Sequence, residues 1–522
     1  MSAAPVLDKH ASAEHHVDDE KDAAIVNEAD VDPDVIDIVH AAEGQYTEAQ
    51  YNKLLRKIDW TLLPLMWLTY GLQQADKTAT STQATFGLRK DTHLVGQQYS
   101  WLSTIFYLTY LVGEFPGNYV LHRFHVGRTL AGFMFSWGVI VLCIAFCKNF
   151  TQLAVLRALQ GIAECTISPA FLIITGSWYR SNEHAHRSII WGTANAGFGT
   201  ISSLISYGVG HAAQKSGDIN AAWKYISYYL GGLTILVSIP VFFILGTPRE
   251  AIWLSAEEKR MAIARVLVNQ TGSDREKRGH INWTHVREVF IDPQTYFLFF
   301  AVFIGSLPNG GVTTYINLVY TSFGFTSLES LLEGTLPHDV LSTIWFIFVG
   351  LVTLKRKGLR FYFMTFSLVP GFVGLLVMGL LPMDHKYLWV KWGMFLMSVT
   401  ANITGLMLWT FVPSNVAGHT KRTVTQTILF AAYCSGNAVG AQIFQASDAP
   451  LYHRALTVCA TMYAVEFVLL FCWRFYYVWQ NNRRDKLVAA MGLTKEESEH
   501  QGRILAEDDV SDWSNVHFRY TT

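Results

Sequence analysis

Residues 225–245 read YISYYLGGLTILVSIPVFFIL, a run without a charged side chain. A helix needs about 20 residues to cross the roughly 30 Å hydrocarbon core of a bilayer, so this run is long enough to span it. Twelve apolar runs of about this length recur along the 522-residue chain, separated by short polar breaks. We predict an all-α membrane protein, because lipid leaves unpaired backbone groups without partners and the alternating strands of a barrel are missing from the sequence. The cores of the twelve predicted spans lie at 62–86, 100–121, 130–146, 153–178, 189–210, 225–245, 296–320, 331–354, 361–381, 389–412, 424–444 and 455–479.

The twelve spans form two sets of six on either side of a polar stretch. A glycine followed by a basic loop recurs after the second span, from Gly117 to Arg128, and after the eighth, from Gly350 to Arg360. This repeat supports a duplicated transporter with two pseudo-symmetric halves. The predicted segments are an acidic tail at 1–57, a six-helix bundle at 58–246, a linker at 247–292, a second six-helix bundle at 293–480 and a tail at 481–522.

Composition excludes several classes of function. Only 16% of the residues are charged and 51% are hydrophobic, which is too apolar for a disordered chain or for most soluble enzymes. Lys and Arg number 40 against 41 Asp and Glu, so no excess of positive charge is available to bind nucleic acid. The sequence contains no phosphate-binding glycine loop, metal-ligand cluster or nucleophile motif. We therefore expect neither an enzyme nor an ATP-driven pump.

The distribution of positive charge predicts the orientation in the membrane. Lys and Arg concentrate in the two tails, in the linker and in the even-numbered breaks between spans. We therefore expect these segments, and both termini, to be cytosolic. The first 57 residues are acidic and lack a signal-peptide pattern, so we expect a disordered tail, with a partner-binding acidic tail as the alternative. The expected protein is a multi-pass monomer of the plasma membrane.

Ionisable side chains inside the predicted spans are candidate site residues, because lipid tolerates charge poorly. Asp76 and Lys77 lie near the middle of the first span, and the alternative is an interfacial turn with both charges in water. Arg157 and Glu164 are seven residues apart in the fourth span, so both lie on one helix face. Their alternative role is a structural ion-pair network, and Arg157 and Glu164 are expected to pair in the empty carrier.

Further charged candidates lie in the second and eighth spans. Glu114 is expected to form a gate with the loop arginines Arg123 and Arg128. His338 is expected to contact substrate and Asp339 to take part in proton coupling, and together they are expected to tune selectivity.

Uncharged polar residues complete the predicted cavity. The stretch Pro308-Asn309-Gly310-Gly311 is expected to break the seventh helix and to line a cavity, although bends of packed helices use the same residues. The alternative role of the other polar side chains is hydrogen bonding between helices. The uncharged candidates for substrate contact are Gln73, Asn195, Asn309, Tyr433 and Asn437.

Five motifs jointly carry a resemblance to a known family. They are Asp76-Lys77-Thr78, Gly113-Glu-Phe-Pro-Gly-Asn118, Arg157-Ala-Leu-Gln-Gly-Ile-Ala-Glu164 with Pro169-Ala170, Leu307-Pro-Asn-Gly-Gly311-Val-Thr-Thr314, and Ser414-Asn-Val-Ala-Gly-His-Thr-Lys-Arg422. Residues 57–481 resemble the major facilitator superfamily, and within it the fungal allantoate permease-like branch of the anion:cation symporter family. The resemblance implies the major facilitator fold and proton-driven uptake of a small organic anion or polar amide. The class includes allantoate, ureidosuccinate, nicotinate, pantothenate and short peptides, and its transport needs no cofactor besides the proton gradient.

The resemblance also implies roles for individual residues. Arg157 and Glu164 match the arginine and the acid that the wider family uses for anion binding and proton linkage, and Asp76 and Lys77 match its span-one pair. We therefore expect Lys77 and Arg157 to hold a substrate carboxylate, while a proton neutralises Glu164 first and Asp76 second. The chain departs from the family at Pro337-His-Asp339, where relatives commonly place small or uncharged residues.

Two alternative functions of the same fold stay open. A drug:proton exporter is expected to carry a Gly-Pro pair in the fifth span, which the sequence Gly197-Phe-Gly199 lacks. A transporter-like nutrient sensor usually carries a long signalling tail, and the acidic start of this chain is the feature that keeps this function under consideration. A membrane-embedded enzyme has the least support.

Overall fold

The computed structural model describes residues 46–267, 282–356, 358–382, 384–494, 497–498, 501 and 510–521, which form helices and connecting turns. The twelve predicted spans correspond to twelve long helices within these residues, four of which are interrupted. The first six are α1 (Glu48–Thr85), α2 (Gln98–Arg123), α3 (Val126–Ile144), α4 (Phe150–Glu164 and Ile167–Trp178), α5 (Ser181–Gly192 and Ala194–Lys215) and α6 (Ala222–Ile244). The second six are α7 (Pro293–Ser322), α8 (Ser327–Glu329, Ser330–Thr335 and Leu336–Lys355), α9 (Arg360–Leu380), α10 (Leu388–Met397, Ser398–Ala401 and Asn402–Asn415), α11 (His419–Ile443) and α12 (His453–Ala490).

The contacts between helices divide the molecule into two six-helix halves. Within the first half, α3 packs on α6 and α2 packs on α4, and in the second half α9 packs on α12 and α7 packs on α11. The two halves meet through α1 with α7, α2 with α11, and α5 with α8. Exchange of the halves converts the α2–α11 pair into the α8–α5 pair, so the interface has the predicted pseudo-symmetry.

Eight of the helices within the described ranges are long and apolar enough to cross a membrane by length and composition. The four more polar long helices are α1, α2, α5 and α11, and all four contribute to the interface between the halves. The polar side chains that these helices bury, such as Asp76 and Asn437, therefore face protein instead of lipid, which is the environment that a site between two halves requires.

Helix α1 begins earlier than the predicted domain boundary at residue 58. The Thr47 side chain caps the helix by accepting a hydrogen bond from Gln50 N. In turn, the Gln50 side-chain oxygen accepts a hydrogen bond from the Thr47 backbone N–H. This capping box stabilises a helical start in a polar stretch that hydrophobicity alone assigns to the tail. The predicted acidic tail at residues 1–45 lies outside the described residues.

The predicted linker contains two helices, each bound to its own half. Helix Ala256–Leu267 contacts the first half, where Glu258 Oε1 lies 2.7 Å from Lys57 Nζ. This contact with Lys57 lowers the pKa of Glu258. Helix Trp283–Ile291 is followed by Asp292, whose Oδ2 atom lies 2.7 Å from Lys421 Nζ in the second half. We call the end of the bundle that carries these helices the linker end, and the opposite end the distal end.

The C-terminal segment 510–521 packs against the second half at the linker end. Lys421 Nζ lies between Asp292 and Asp512 Oδ1, which is 3.0 Å away, and all three side chains are fully buried. The ring of Tyr520 stacks on Tyr477 with 4.5 Å between centroids. The described part of the predicted tail at 481–522 is therefore docked, because tertiary charge pairing fixes the segment.

The predicted break in α7 is also wrong, since the helix runs without interruption from Pro293 to Ser322. Pro308 removes one backbone donor, which a long packed helix tolerates. The glycines serve close packing instead. A Cβ atom on Gly310 would lie 2.4 Å from Asn437 O, and one on Gly440 would lie 2.2 Å from Leu307 O, so α7 and α11 touch through their backbones.

Hydrogen bonds between the halves close the distal end. Tyr99 Oη donates to Thr314 O over 2.7 Å, and Asn317 Nδ2 donates to Thr82 Oγ1 over 3.0 Å. Further bonds of this kind join Ser100 to Tyr315, Ser103 to Thr314, Thr104 to Ala438 O, Ser81 to Asn317 N, Thr85 O to Ser327 and Gln97 to Ala446 N. Because these bonds join side chains and backbone of both halves, the described structure is closed at the distal end.

Candidate functional site

The first charged pair lies inside a continuous helix. Helix α1 extends from Glu48 past Asp76 and Lys77 to Thr85, so the pair does not occupy an interfacial turn. Asp76 is only 3% exposed, and Lys77 is half-buried. A buried carboxylate and an ammonium in a membrane helix must face other polar groups, and α4 supplies these.

Helix α4 presents three polar side chains on one face. Gln160 is three residues after Arg157 and four residues before Glu164, and this spacing places all three on the same side of a helix. Arg157 is 5% exposed, and Gln160 and Glu164 are fully buried. The first segment of α4 ends at Glu164, so the carboxyl lies at an interruption of the helix.

The Gln160 amide connects the acids of α1 and α4. Its Nε2 atom donates to Asp76 Oδ2 and, over 2.7 Å, to Glu164 Oε1. Its Oε1 atom accepts a hydrogen bond of 3.0 Å from Arg157 Nη1. Trp137 of α3 adds a second donor to Asp76 Oδ2 at 2.9 Å. We call Asp76, Lys77, Arg157, Gln160 and Glu164 the charged cluster.

The predicted direct pair between Arg157 and Glu164 is wrong in this conformation. Seven residues place the two groups two turns apart, and Gln160 occupies the space between them. Arg157 is the stronger cationic neighbour of Asp76, and Lys77 is a cationic neighbour of both Glu164 and Asp76. The two carboxyl groups are also neighbours within hydrogen-bonding reach of each other.

A small, nearly closed pocket lies beside the charged cluster. Both cations, Lys77 and Arg157, line it, together with hydroxyl and aromatic side chains from both halves. Its remaining lining residues are Thr80, Ser103, Phe106, Tyr107, Thr313 and Thr314. The pocket lies directly under the distal closure, because Thr314 also bonds to Ser103. Two cations and several hydroxyl groups together suit a small anion that carries further hydrogen-bonding atoms.

Lys77 is the free cation of this pocket. Its ammonium lies 5.3 Å from the centroid of the Tyr110 ring. Within the described part of the chain, no carboxylate lies at salt-bridge distance from it. Arg157 likewise uses an uncharged partner, Gln160. Positive charge is therefore available to a ligand without first breaking a direct ion pair.

Of the uncharged candidate residues, one contacts the charged cluster and the others lie in contacts between helices. Gln73 joins the cluster, since its Nε2 atom donates to Glu164 O over 3.3 Å. Asn195 lies beside the hydroxyl of Tyr70. Tyr433 belongs to the aromatic group at the interface, where its ring centroid lies 6.1 Å from that of Tyr107.

Two asparagines join α7 to α11. Asn309 Nδ2 donates to Asn437 Oδ1 over 2.8 Å, and Asn437 Nδ2 donates to Tyr433 O over 2.8 Å. Asn437 is fully buried in this contact. The geometry matches the alternative role of a hydrogen bond between helices, although Asn309 is only half-buried.

The eighth-span pair lies apart from the pocket. His338 Nδ1 is 3.8 Å from Asp339 Oδ1, and Asp339 Oδ2 accepts a long hydrogen bond of 3.5 Å from Ser203 of α5. A Cβ on Gly199 would lie 2.8 Å from Asp339 Oδ2. The pair therefore occupies the contact between α5 and α8.

The predicted gate of Glu114 with two loop arginines is not formed. Glu114 Oε1 accepts a hydrogen bond of 3.4 Å from Asn118, whereas Arg123 and Arg128 are exposed. Arg123 lies nine residues after Glu114, which is half a turn out of phase on a helix. Glu466, in α12, is fully buried against Gly305, as expected for a structural residue.

Several contributors to the site were not predicted from the sequence, among them Gln160, Trp137 and Tyr110. Gln160 and Trp137 are uncharged, and the search for intramembrane charges passed over them. The spacing of Gln160 between Arg157 and Glu164 is the signal that would have identified it. Tyr110 gives only the general signal of an aromatic residue in a span. Among the described residues, no group of three His, Cys, Asp or Glu side chains could hold a metal ion.

The chain is similar to known transporters over most of its length. Residues 66–441 match the family model of the Major Facilitator Superfamily. The allantoate permease of Saccharomyces cerevisiae is 31% identical over 499 residues, which cover 92% of this chain and 88% of that protein. An uncharacterized transporter of Schizosaccharomyces pombe is 31% identical over 505 residues, covering 96% and 93%. A thiamine pathway transporter of S. cerevisiae is 28% identical over 477 residues, covering 90% and 86%.

Solved structures match the fold. The xylose transporter XylE of E. coli, in a partially occluded inward-open conformation, has a TM-score of 0.62 at 15% identity. The match covers 80% of this chain and 98% of that one. The family model and the transporter relatives define the chain as a membrane transporter and not an enzyme. The chain belongs to the major facilitator superfamily, in its fungal allantoate permease-like branch.

Proposed function

We propose that this transporter imports a small organic anion or polar amide together with protons, by alternating access. The class comprises allantoate, ureidosuccinate, nicotinate, pantothenate and short peptides. The similarity to the allantoate permease supports the class of substrate, and the charged cluster supports the coupling. The transporter needs no cofactor, because the proton gradient supplies the energy.

The observation that carries the proposal is the pair of cations in the pocket. Lys77 and Arg157 both line it, and in the described structure neither forms a direct ion pair with a carboxylate. An anion that enters gains two charge-assisted interactions. The guanidinium of Arg157 suits a carboxylate, since its planar fork can donate two parallel hydrogen bonds.

The proton is assigned to Glu164 first and to Asp76 second. Asp76 Oδ2 accepts two hydrogen bonds, from Trp137 and Gln160. Glu164 Oε2 is buried and, among the described groups, has no hydrogen-bond partner that protonation would displace. Two neighbouring carboxyl groups also favour a single shared negative charge, because like charges at this distance repel.

Transport requires that the two halves rock about the pocket. The distal hydrogen bonds, such as Asn317 to Thr82, have to break when the pocket opens to that side. We assign the distal end to the exterior and the linker end to the cytosol from the distribution of Lys and Arg. Both termini are then cytosolic, and a tag at either terminus is expected to be inaccessible from outside intact cells.

We propose that the transporter is a monomer and that it resides in the plasma membrane. Each half contributes side chains to one pocket, so a single chain supplies the whole site. A drug exporter and a nutrient sensor of the same fold remain the alternatives, and they differ from an importer in the direction and amount of transport.

Uptake of labelled compounds tests the proposal. Cells without the endogenous permease would express the chain and receive labelled allantoate, ureidosuccinate, nicotinate or pantothenate, with and without a protonophore. We expect saturable uptake of at least one compound that the protonophore abolishes. Lys77→Gln is expected to reduce it strongly, whereas Lys148→Gln, at an exposed lysine, serves as the matched control. Uptake that ignores the protonophore, net efflux, or no transport of any compound would contradict the proposal.

A further inference from the structure

Gln160 occupies the only position in the described cluster that contacts both the anion-binding arginine and both acids. Its oxygen accepts from Arg157 Nη1, and its nitrogen donates to Asp76 Oδ2 and Glu164 Oε1. The side chain is fully buried, so water does not compete for these contacts. A single amide therefore connects the predicted substrate site to the predicted proton site.

The chemistry of arginine fixes the orientation of this amide. A guanidinium has five donors and no acceptor, so the Gln160 atom that faces Arg157 must be the oxygen. The nitrogen then faces the acids, and each of its two hydrogens points to one carboxyl group. Asp76 Oδ2 and Glu164 Oε1 consequently act as acceptors while Arg157 stays on the Gln160 oxygen.

An anion that binds Arg157 changes this balance. If its carboxylate takes the guanidinium, the Gln160 oxygen loses its donor inside a buried site, which is unfavourable. Rotation of the amide by half a turn brings that oxygen to the acids. There it needs a hydrogen-bond donor, and a protonated Glu164 or Asp76 provides one.

We propose that Gln160 is a positioning residue whose amide links anion binding at Arg157 to proton binding at Glu164 and Asp76. This inference rests on the proposed proton-coupled transport of an anion. A proton enters from the aqueous phase when the anion binds, and it leaves when the anion leaves and Arg157 returns to Gln160. Loss of the amide uncouples the two events without removing either binding group.

Other titratable side chains surround the charged cluster, and the variants in the test leave all of them unchanged. The electrostatic neighbours of Asp76 and Glu164 in the structure are Lys77 and Arg157, with Tyr107 and Tyr110 from α2, Cys165 from α4 and Tyr229 from α6. Cys434 of the second half adjoins Lys77. None of these side chains changes in the variants below.

The test uses purified full-length protein and the compound that uptake identifies among allantoate, ureidosuccinate, nicotinate and pantothenate. Gln160→Met keeps the length of the side chain but has no amide, and Gln160→Asn keeps the amide on a shorter stem. Gln214→Met, at an exposed glutamine, is the matched control. Three quantities are measured: compound binding, proton uptake on binding followed with a pH indicator, and the external pH profile of transport.

We expect wild type and Gln214→Met to take up protons when the compound binds. Gln160→Met and Gln160→Asn are expected to bind the compound within about tenfold of wild type, because Lys77 and Arg157, which hold the anion, are unchanged. Their proton uptake is expected to be lost, and their pH profile flattened.

The outcomes separate this inference from the proposed function. Wild type that binds the compound without taking up protons contradicts proton coupling itself. Wild type that takes up protons, together with Gln160 variants that do so equally, overturns the role of Gln160 alone. Variants that fold but no longer bind the compound also overturn the inference, because Gln160 is then a substrate ligand. If both Gln160 variants fail to fold, the inference is likewise overturned, because Gln160 is then a structural residue.

Discussion

Arg157 donates a hydrogen bond of 3.0 Å from Nη1 to Oε1 of Gln160, although the acid Glu164 lies only one helical turn beyond Gln160 on the same face of α4. The arginine is therefore held by a neutral amide that an anion can displace. This relationship separates the substrate-binding and proton-binding parts of the charged cluster, and several of the predictions below depend on it.

Substitution of Arg157 is expected to abolish uptake. Arg157→Ala removes a buried charge-assisted interaction of about 2–5 kcal/mol, equivalent to a loss of affinity of roughly 30-fold to several thousandfold. Arg157→Lys is expected to lose most of the uptake, because a point ammonium cannot replace the planar fork. Initial uptake rates over a range of substrate concentrations provide the measurement. Near-normal uptake by Arg157→Lys would show that the fork is unimportant.

The distal closure is expected to open during each cycle. Cysteines at Thr82 and Asn317, joined by a short thiol crosslinker, should hold the halves together and stop transport, and chemical cleavage of the crosslinker should restore it. The matched control places cysteines at Gln83 and Ser227, which also share a hydrogen bond, of 2.8 Å, but lie in the same half. Full transport by the crosslinked Thr82–Asn317 pair would refute opening at this end.

His338 and Asp339 are expected to set the ranking of substrates. The pair lies at the α5–α8 contact between the halves, and an imidazole and a carboxylate that line the path as the halves rock would favour substrates with amide or cationic parts over simple anions. Competition of a compound panel against uptake by His338→Ala and Asp339→Asn measures the effect, with the exposed Asp384→Asn as control. An unchanged ranking would leave the pair as a packing contact between α5 and α8, where the structure places it.

The buried charges at the C-terminal segment are expected to contribute unequally to stability. Lys421→Met leaves Asp292 and Asp512 buried without a cation, which should cost about 3–5 kcal/mol of folding free energy. Asp512→Asn should cost much less, since Asp292 still balances Lys421. Thermal unfolding of the purified variants is the measurement. The exposed Asp485→Asn is the control, and equal destabilisation by Lys421→Met and Asp512→Asn would contradict the assignment.

The same segment should respond to pH. Burial, opposed by Lys421, raises the pKa of Asp512. A raised pKa means that the docked segment binds a proton more readily than the released one. Docking is therefore expected to be strongest at low pH and to weaken as pH rises through the docked-state pKa. Proteolytic release of the segment, measured against pH, would show the opposite trend if the charged form were favoured.

Sequence reasoning predicted the features that follow from hydrophobicity and helical spacing. The twelve helices come from apolar runs, and the common face of Arg157 and Glu164 comes from their separation of seven residues. The location of Asp76 inside a helix followed from the length of the first span. These features are local, so a single sequence contains the information that decides them.

The features that sequence reasoning missed depend on tertiary contacts. Pro308 suggested a broken α7, but Gly310 instead allows the backbone to approach α11. The docking of residues 510–521 depends on Lys421, which is distant in the sequence. Gln160 has no charge to attract attention, and only its contacts with groups on two helices reveal its position at the centre of the charged cluster.

The most direct test of proton coupling uses Glu164→Gln, which imitates the protonated acid permanently. If Glu164 carries the proton, this variant should still exchange labelled for unlabelled substrate across a membrane, because exchange needs no net movement of protons. It should lose accumulation driven by an imposed pH gradient. Glu466→Gln, at a buried acid outside the charged cluster, should retain both activities. A Glu164→Gln carrier that still concentrates substrate under the pH gradient would contradict the account and shift the proton to Asp76.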